Sequence, residues 1–252
     1  MANPDVLVLF RLITAHLLAD FLLQPKRWIV SKRTRNVRAP ELYYHVGVVG
    51  LLTYLMLWDW LHVLLPLFIM GTHFAIDWWK STRRESAGNF VIDQAGHLVM
   101  ILAGWIFYTG LADEANAFLL SLLYSPALWI VLTGYITVLW PFGYLVALLT
   151  KRWQEELENG STDSLTGLKN AGMWIGYTER FIILTFILLN QYSAIGFLIA
   201  AKSVFRFSGK LESDRDRKEA EYILIGTLLS FALSIALGIG AVYLLELLPA
   251  EG

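Results

Sequence analysis

Apolar segments close to the length that crosses a lipid bilayer recur along the whole chain, and they constrain its fold more than any other feature. A helix needs about 20 apolar residues to span the hydrocarbon core. The sequence of 252 residues is 56% hydrophobic and 16% charged, and its charges fall between the apolar segments. This pattern predicts an all-α, polytopic transmembrane helix bundle. The eight predicted spans are 5–24, 42–58, 62–80, 90–110, 126–150, 171–189, 191–207 and 221–247.

The seventh of these segments is the least regular, because it is short and contains Lys202. A re-entrant or steeply tilted element would also fit this sequence, and the number of spans would then be seven. Either number excludes a soluble globular enzyme. The net charge of −1 gives no reason to expect a nucleic-acid partner, and the absence of cysteine excludes disulfides and thiolate chemistry.

Lysine and arginine are concentrated in every second connecting segment, and this predicts the orientation of the chain. Eighteen of the 20 basic residues lie in 25–41, 80–89, 151–170 and 202–220. Cytoplasmic loops carry the excess of basic residues in membrane proteins. We therefore expect these four segments to face the cytoplasm and both termini to lie outside. The segment from Trp153 to Asn170 is predicted to be a solvated loop.

Imidazole and carboxylate side chains stand four residues apart in each of the first four predicted spans. This spacing places both side chains on one face of a helix. Because successive helices run in opposite directions, the carboxylate is in each case nearer the cytoplasm and the histidine deeper. The chain over 1–58 and 62–110 is therefore predicted to form two parallel copies of one helical hairpin. The pairs are His16 with Asp20, Glu41 with His45, His73 with Asp77, and Asp93 with His97.

Histidine and carboxylate side chains are ligands for zinc, iron and manganese, and helical bundles build such sites between facing helices. We expect a divalent metal site, and a dinuclear centre would suit this number of ligands. Nearby basic side chains could then hold a phosphate group, and Asp20, Asp77 or Asp93 could act as the general base. These basic residues are Lys26, Arg27, Lys80, Arg83 and Arg84. The simpler alternative is that the pairs only fix the register of the helices. The predicted ligands are His16, Asp20, His45, His73, Asp77, Asp93 and His97.

A second group of charged residues lies within the predicted spans of the C-terminal half. Glu179 and Arg180 fall in the middle of the sixth span, and Lys202 lies at an overlapping depth in the seventh. Charges within a membrane are costly unless they are paired or functional. Lys202 is the expected partner of Glu179. For Arg180 two interpretations stay open: a structural ion-pair network, or a catalytic role in binding an anionic substrate.

Four motifs of the N-terminal half occur together. They are His-Leu-Leu-Ala-Asp-Phe-Leu-Leu-Gln over 16–24, His45, His-Phe-Ala-Ile-Asp-Trp-Trp-Lys over 73–80, and Asp-Gln-Ala-Gly-His over 93–97. In this combination the chain resembles a bacterial integral-membrane family known as domain of unknown function 3307. The resemblance extends to segments around Gly196, Lys202 and Tyr222. It implies a protein of a bacterial inner membrane, and it implies no particular reaction.

These observations favour an integral membrane, metal-dependent hydrolase that acts at the cytoplasmic leaflet on a phosphorylated lipid or a related amphiphile. A proton- or divalent-cation-coupled transporter is the first alternative, since carboxylate and histidine chains line such pathways. A non-catalytic membrane scaffold with structural pairs is the second. A membrane lipid is the expected partner, and a homo-oligomer is compatible with the sequence. We expect a His/carboxylate half over 1–110, a fifth span with its loop over 111–170, and a C-terminal three-helix half over 171–252.

Overall fold

The computed structural model describes residues 4–159, 171–207 and 214–249, and these residues are almost entirely helical. No strand occurs among them, which confirms the predicted all-α class. A π-helical turn (Leu18–Leu22) follows α1, and a 3-10 turn (Asn36–Arg38) follows α2. The helices are α1 (Pro4–Leu17), α2 (Lys26–Arg35), α3 (Pro40–Leu57), α4 (Leu64–Ser81), α5 (Ala87–Thr109), α6 (Ala112–Tyr124), α7 (Pro126–Leu139), α8 (Pro141–Asn159), α9 (Ala171–Leu188), α10 (Tyr192–Phe207) and α11 (Asp214–Glu246).

Local sequence signals explain where several helices begin and end. Pro40 and Pro126 occupy the first turns of α3 and α7, where a missing backbone N–H removes no helical hydrogen bond. Ser86 caps α5, because its side chain accepts a hydrogen bond from the backbone N–H of Asn89. Gly110 ends α5 with a left-handed backbone (φ = 74°), which glycine adopts without strain.

The chain forms two compact units, of which the first is Met1–Leu120. In this unit α1 packs on α3 and α5, and α4 packs on the same two helices. Buried Leu12, Val49, Ile69 and Ile101 belong to the apolar core of this unit. After the π-helical turn the chain bends by 84°, so that α2 leaves the direction of α1 and packs on α3 and α4.

The second unit is Ser121–Gly252, in which α7, α8 and α9 all pack on α11. Its core contains Ile183, Ile187, Ile195 and Phe231. The span predicted over 126–150 lies within the helical stretch Pro126–Leu157, which Trp140 divides into α7 and α8. The predicted domain boundaries at residues 110 and 170 stay predictions.

The prediction of a loop from Trp153 to Asn170 is wrong for its first part. Helix α8 continues to Asn159, and Lys151 pairs with Glu155 four residues later on its surface. Such a pair supports an exposed helix, which explains how a strongly charged segment remains helical. The rest of the predicted loop, 160–170, lies outside the described residues.

Four helical stretches are long and apolar enough to cross a membrane, which is compatible with a membrane protein. The bent pair Asp5–Leu22 and Lys26–Arg38 would be a fifth if it forms one broken span. The eight predicted spans are therefore not confirmed. Helices α3 and α4 have 18 residues each but carry buried polar side chains that lower their hydropathy, and the apolar part of α10 is short (Tyr192–Lys202). The four stretches are Ala87–Thr109, Pro126–Leu157, Ala171–Leu188 and Asp216–Glu246.

Large apolar side chains are exposed on the outer surfaces of the helices in the first unit. Phe10 of α1, Leu51 of α3, Leu67 of α4 and Phe107 of α5 are each more than half exposed. A soluble protein rarely carries large contiguous apolar patches. The exposed apolar surface is thus compatible with contact to lipid.

Candidate metal centre

Seven histidine and aspartate side chains come together inside the first unit. Helix α1 with its π-helical turn supplies two of them, α3 supplies one, and α4 and α5 supply two each. Six of these residues are at most 2% exposed, and the side chain of Asp20 is 5% exposed. We name this group the His–Asp cluster. Its members are His16, Asp20, His45, His73, Asp77, Asp93 and His97.

The π-helical turn positions Asp20 within the cluster. Its Oδ1 lies 3.8 Å from Nδ1 of His16, but only 3.2 Å from Nε2 of His45 and 3.3 Å from Nε2 of His73. The carboxylate is therefore nearer to histidines of two other helices than to the histidine of its own. Interruptions of this kind in an α-helix are frequent at functional sites.

Asp20, His45 and His73 present donor atoms with the spacing expected of metal ligands. The Nε2 atoms of His45 and His73 are 2.9 Å apart, which completes a triangle with Oδ1 of Asp20. Metal–ligand bonds of about 2.0–2.2 Å at tetrahedral or octahedral angles place neighbouring donor atoms about 2.8–3.6 Å apart. The three interatomic distances are therefore compatible with ligands of one metal ion.

Two further groups of donor atoms adjoin this triangle. Asp77, Asp93 and His97 form one group, and His16, His73 and His97 form the other, each with all donor atoms within 4.8 Å of one another. His73 and His97 connect the groups, since their rings stack with centroids 4.1 Å apart. The cluster is therefore continuous, and it has enough donors for two neighbouring metal ions.

Several oxygen and nitrogen atoms of the cluster that could bind a metal make no hydrogen bond within the part of the chain that the structure describes. They include Oδ1 of Asp20, Oδ1 of Asp93 and Nε2 of His97. A buried polar atom without a partner costs about 1–3 kcal/mol. Oδ1 of Asp93 and Nε2 of His97 face each other at 3.5 Å. The donor set therefore fits a bound metal, which would provide the missing partner for each of these atoms.

Basic and amide side chains hold the outer oxygen atoms of two aspartates. Lys32 donates a hydrogen bond to Oδ2 of Asp77, and Lys80 donates to Oδ2 of Asp93, both at 2.5 Å. Gln94 also donates to Oδ2 of Asp93, at 2.9 Å. The other oxygen of Asp93, Oδ1, takes no part in these contacts and lies toward His97. Partners of this kind orient metal ligands in known metal sites.

A cleft of about 250 Å³ begins at the His–Asp cluster, where Asp20 and Asp77 form part of its wall. Four basic side chains line it, and the aromatic rings of Phe21 and Phe90 lie among its exposed residues. We name it the basic cleft. Its basic residues are Lys32, Arg33, Lys80 and Arg84.

The comparison with known families concerns this same part of the chain. Residues 8–123 match the model of a family described as protein of unknown function (DUF3307). This match confirms the resemblance that the N-terminal motifs indicate. The DUF3307 match contains every member of the His–Asp cluster, whereas the segments around Gly196, Lys202 and Tyr222 lie outside it. No curated protein and no solved structure matches the chain.

The first unit brings together all seven of the predicted ligands. Their role in metal binding stays a prediction. Lys80 and Arg84, both predicted to hold a phosphate group, line the basic cleft, and Lys80 also contacts Asp93. Arg83, predicted together with them, instead lies over the ring of Trp79 and does not line the cleft. Lys32 was not among the predicted site residues, although it is only 5% exposed. Its spacing from Trp28 and Ile29 on one face of α2 is the sequence signal that could have indicated its burial.

The predicted pair of Glu41 and His45 does not form. Glu41 instead accepts a hydrogen bond from Ser31 of α2 at 2.6 Å, while His45 faces Asp20 and His73. The physical reason is the bend after the π-helical turn, which brings α2 beside the start of α3. The first unit therefore contains three imidazole–carboxylate pairs at a spacing of four, and a fourth histidine that contacts carboxylates of other helices.

The charged residues of the C-terminal half make one contact that the sequence predicts and others that it does not. Lys202 pairs with Glu179 at 2.6 Å, which confirms the expected partner. Arg180 donates hydrogen bonds to the carbonyl groups of Val138 and Leu139. These carbonyls lie at the end of α7, beside the break at Trp140. The contacts favour the structural interpretation of Arg180.

Proposed function

We propose that this chain is an integral membrane, metal-dependent hydrolase that acts on a phosphorylated lipid or a related amphiphile. The observation that carries the proposal is the convergence of Asp20, His45 and His73, whose donor atoms lie 2.9–3.3 Å apart in a buried site. A site of this composition suits zinc, manganese or iron. A bound metal would polarise a phosphoryl oxygen and make a nucleophile available at neutral pH.

The side chains around the metal ligands supply the remaining functions of a hydrolase. Lys32 and Lys80 hold Asp77 and Asp93 in place and also line the cleft through which a substrate would enter. A carboxylate of the His–Asp cluster that does not hold metal can accept a proton from water. The ammonium groups would stabilise the negative charge that develops on a phosphoryl group.

The charge of the basic cleft favours a hydrolase over a divalent-cation transporter. Four lysine and arginine side chains line the approach to the His–Asp cluster against the carboxylates of Asp20, Asp77 and Glu85, so the cleft carries a small excess of positive charge. Positive charge attracts an anionic substrate and repels a free cation. A cation pathway also needs polar groups through the interior toward the opposite face, whereas the buried residues one turn from the histidines, such as Leu12, Val49 and Ile101, are apolar.

We further propose that α1, α3, α4 and α5 all cross the membrane and that the basic segments face the cytoplasm. The exposed apolar side chains of these helices support this topology, because they would contact lipid tails. Their two hairpins would then form a parallel repeat, with eight spans in the whole chain and both termini outside. A bacterial inner membrane is the proposed location, in keeping with the resemblance on which the sequence prediction rests.

Phosphate release from phosphatidic acid in mixed micelles tests this proposal. We expect release that requires added zinc or manganese and stops on chelation. Asp93→Asn should reduce the rate at least about 100-fold, since it removes a ligand or base from the centre. Asp59→Asn is the matched control, because Asp59 lies in the loop between α3 and α4 and outside the cluster. Metal-independent release, or equal rates in both variants, would contradict the proposal.

A further inference from the structure

Three of the four cationic groups in the basic cleft already pair with carboxylates of the protein. Lys32 and Lys80 bond to aspartates of the His–Asp cluster, and Arg33 pairs with Glu85 at 2.5 Å. Arg84 makes no ion pair within the ranges that the structure describes, and its side chain lines the cleft. Arg84 is therefore free to bind an anion that enters.

Neutral donors add to this positive charge. Nε2 of Gln24 is a buried donor that makes no hydrogen bond among the described residues, and Gln24 lines the cleft. Helix α5, which has 23 residues, begins at the cleft, where Ser86 and Asn89 are also lining residues. The start of a helix carries partial positive charge and favours anions. A free cation and a helix start thus lie at the same small space, and the buried amide of Gln24 lies beside it.

The exposed edge of the cleft is apolar. The rings of Phe21 and Phe90 meet edge to face with centroids 6.3 Å apart, and each residue is about half exposed. Phe21 belongs to the π-helical turn and Phe90 to the first turns of α5, so the pair bridges two elements beside the cleft. An apolar pair beside a cationic space matches the two parts of an amphiphile.

We propose that the basic cleft binds the phosphomonoester headgroup of an amphiphile, with Arg84 contacting the phosphate and the apolar chain lying across Phe21 and Phe90. The volume of about 250 Å³ is slightly below that of pockets for drug-sized molecules, so the headgroup enters and the chain stays outside. A phosphomonoester carries more negative charge than a phosphodiester, and it therefore gains more from these cations. That the bound headgroup is a substrate rests on the proposed function, whereas its binding does not.

Binding without turnover tests this site. Detergent-solubilised protein in the presence of a chelator would be titrated calorimetrically with dioctanoyl phosphatidic acid, dioctanoyl phosphatidylglycerol and inorganic phosphate. We expect phosphatidic acid to bind most tightly and Arg84→Gln to weaken its binding about tenfold or more. Arg83→Gln is the matched control, because Arg83 is adjacent but lies over the ring of Trp79 and does not line the cleft. Its affinity should equal that of the wild type.

The apolar part of the site needs its own pair of variants. Phe90→Ala should reduce the preference for dioctanoyl phosphatidic acid over inorganic phosphate several-fold, because burial of apolar area is lost. Phe107→Ala removes a ring from the other end of α5 and should leave that preference unchanged. If inorganic phosphate binds as tightly as phosphatidic acid does, the ligand is a soluble anion. This result would overturn the assignment to an amphiphile.

Two further outcomes separate this site from the proposed function. Equal binding of phosphatidic acid in Arg83→Gln and Arg84→Gln would overturn the headgroup site, even if the protein holds metal and releases phosphate. Binding that depends on Arg84, in a protein that holds no metal and releases no phosphate, would support the headgroup site and contradict the hydrolase.

Discussion

The Nε2 atoms of His45 and His73 lie 2.9 Å apart, and Oδ1 of Asp20 lies 3.2 and 3.3 Å from them. The three residues belong to three different helical segments, so the contact depends on the packing of the whole first unit. A shared metal ion explains the triangle, and so does a hydrogen-bonded structural cluster. These two explanations predict different responses to the removal of single side chains.

Lys32 and Asp77 form a buried ion pair whose partners are 7% and 2% exposed at their side chains. Lys32→Met leaves the carboxylate of Asp77 buried without its cation, which should lower the free energy of unfolding by about 3–5 kcal/mol. The double variant Lys32→Met with Asp77→Asn should recover much of that loss. Unfolding in detergent with a chelator present measures both effects.

Lys26→Met is the control for this prediction. Lys26 lies on the same helix, α2, but is exposed to solvent, so its loss should change the stability by less than about 0.5 kcal/mol. A Lys32→Met protein as stable as Lys26→Met would show that the ion pair contributes nothing to the folded state.

Arg180 is predicted to stabilise the second unit and to have no part in metal binding. Arg180→Gln removes the hydrogen bonds from the guanidinium to the carbonyls of Val138 and Leu139, and a hydrogen bond that involves a charged group contributes about 1.5–3 kcal/mol. We expect a lower unfolding temperature with unchanged metal content. A variant of normal stability that no longer releases phosphate would instead assign Arg180 a role in binding substrate.

Gly238 allows close packing between α11 and α9. A Cβ atom at this position would lie 2.6 Å from Cδ1 and 3.0 Å from Cγ2 of Ile187. Gly238→Ala should therefore destabilise the protein by about 1–3 kcal/mol. Gly240→Ala, two residues further along the same helix, meets nothing within 4 Å and should be neutral or slightly stabilising. Thermal unfolding of the two variants side by side distinguishes packing from helix propensity.

The loop between α3 and α4 should respond to acid through Asp59. A hydrogen bond from Tyr108, with a further one from His62, lowers the pKa of Asp59 below its ordinary value of 3.8. Because the folded-state pKa is depressed, the stabilisation is complete above the ordinary value and is lost as the pH falls through the folded-state pKa. Tyr108→Phe should move the pKa of Asp59 back toward 3.8. Carbon-detected NMR of the Asp59 carboxyl measures this shift, and an unchanged pKa would contradict the assigned cause.

The His–Asp cluster could be predicted from the sequence because a spacing of four places two side chains on one face of a helix. For His73 with Asp77 and for Asp93 with His97, this local rule was sufficient to select the residues that face the interior. The proximity of the four helices needed a second argument, which was the common depth of the pairs.

The contacts that the sequence did not predict lie at a bend of the chain or at a break between two helices. Burial of Lys32 and the contact between Ser31 and Glu41 follow from the 84° bend after the π-helical turn, which no local spacing encodes. The partners of Arg180 are the backbone carbonyls of Val138 and Leu139, beside the break at Trp140 between α7 and α8. Charged residues at such breaks find backbone partners that a pattern of side chains cannot show.

The metal content of the purified protein tests the central claim most directly. Mass spectrometry would compare the wild type, His73→Ala and His62→Ala after loading with zinc or manganese and removal of free metal. His62, the one histidine of the five outside the cluster, serves as the matched control, since it is exposed and pairs with Asp59. We predict about one or two ions per chain in the wild type and His62→Ala, and a loss of most of this metal in a folded His73→Ala. A metal-free wild type, or equal metal content in all three proteins, would contradict a metal centre.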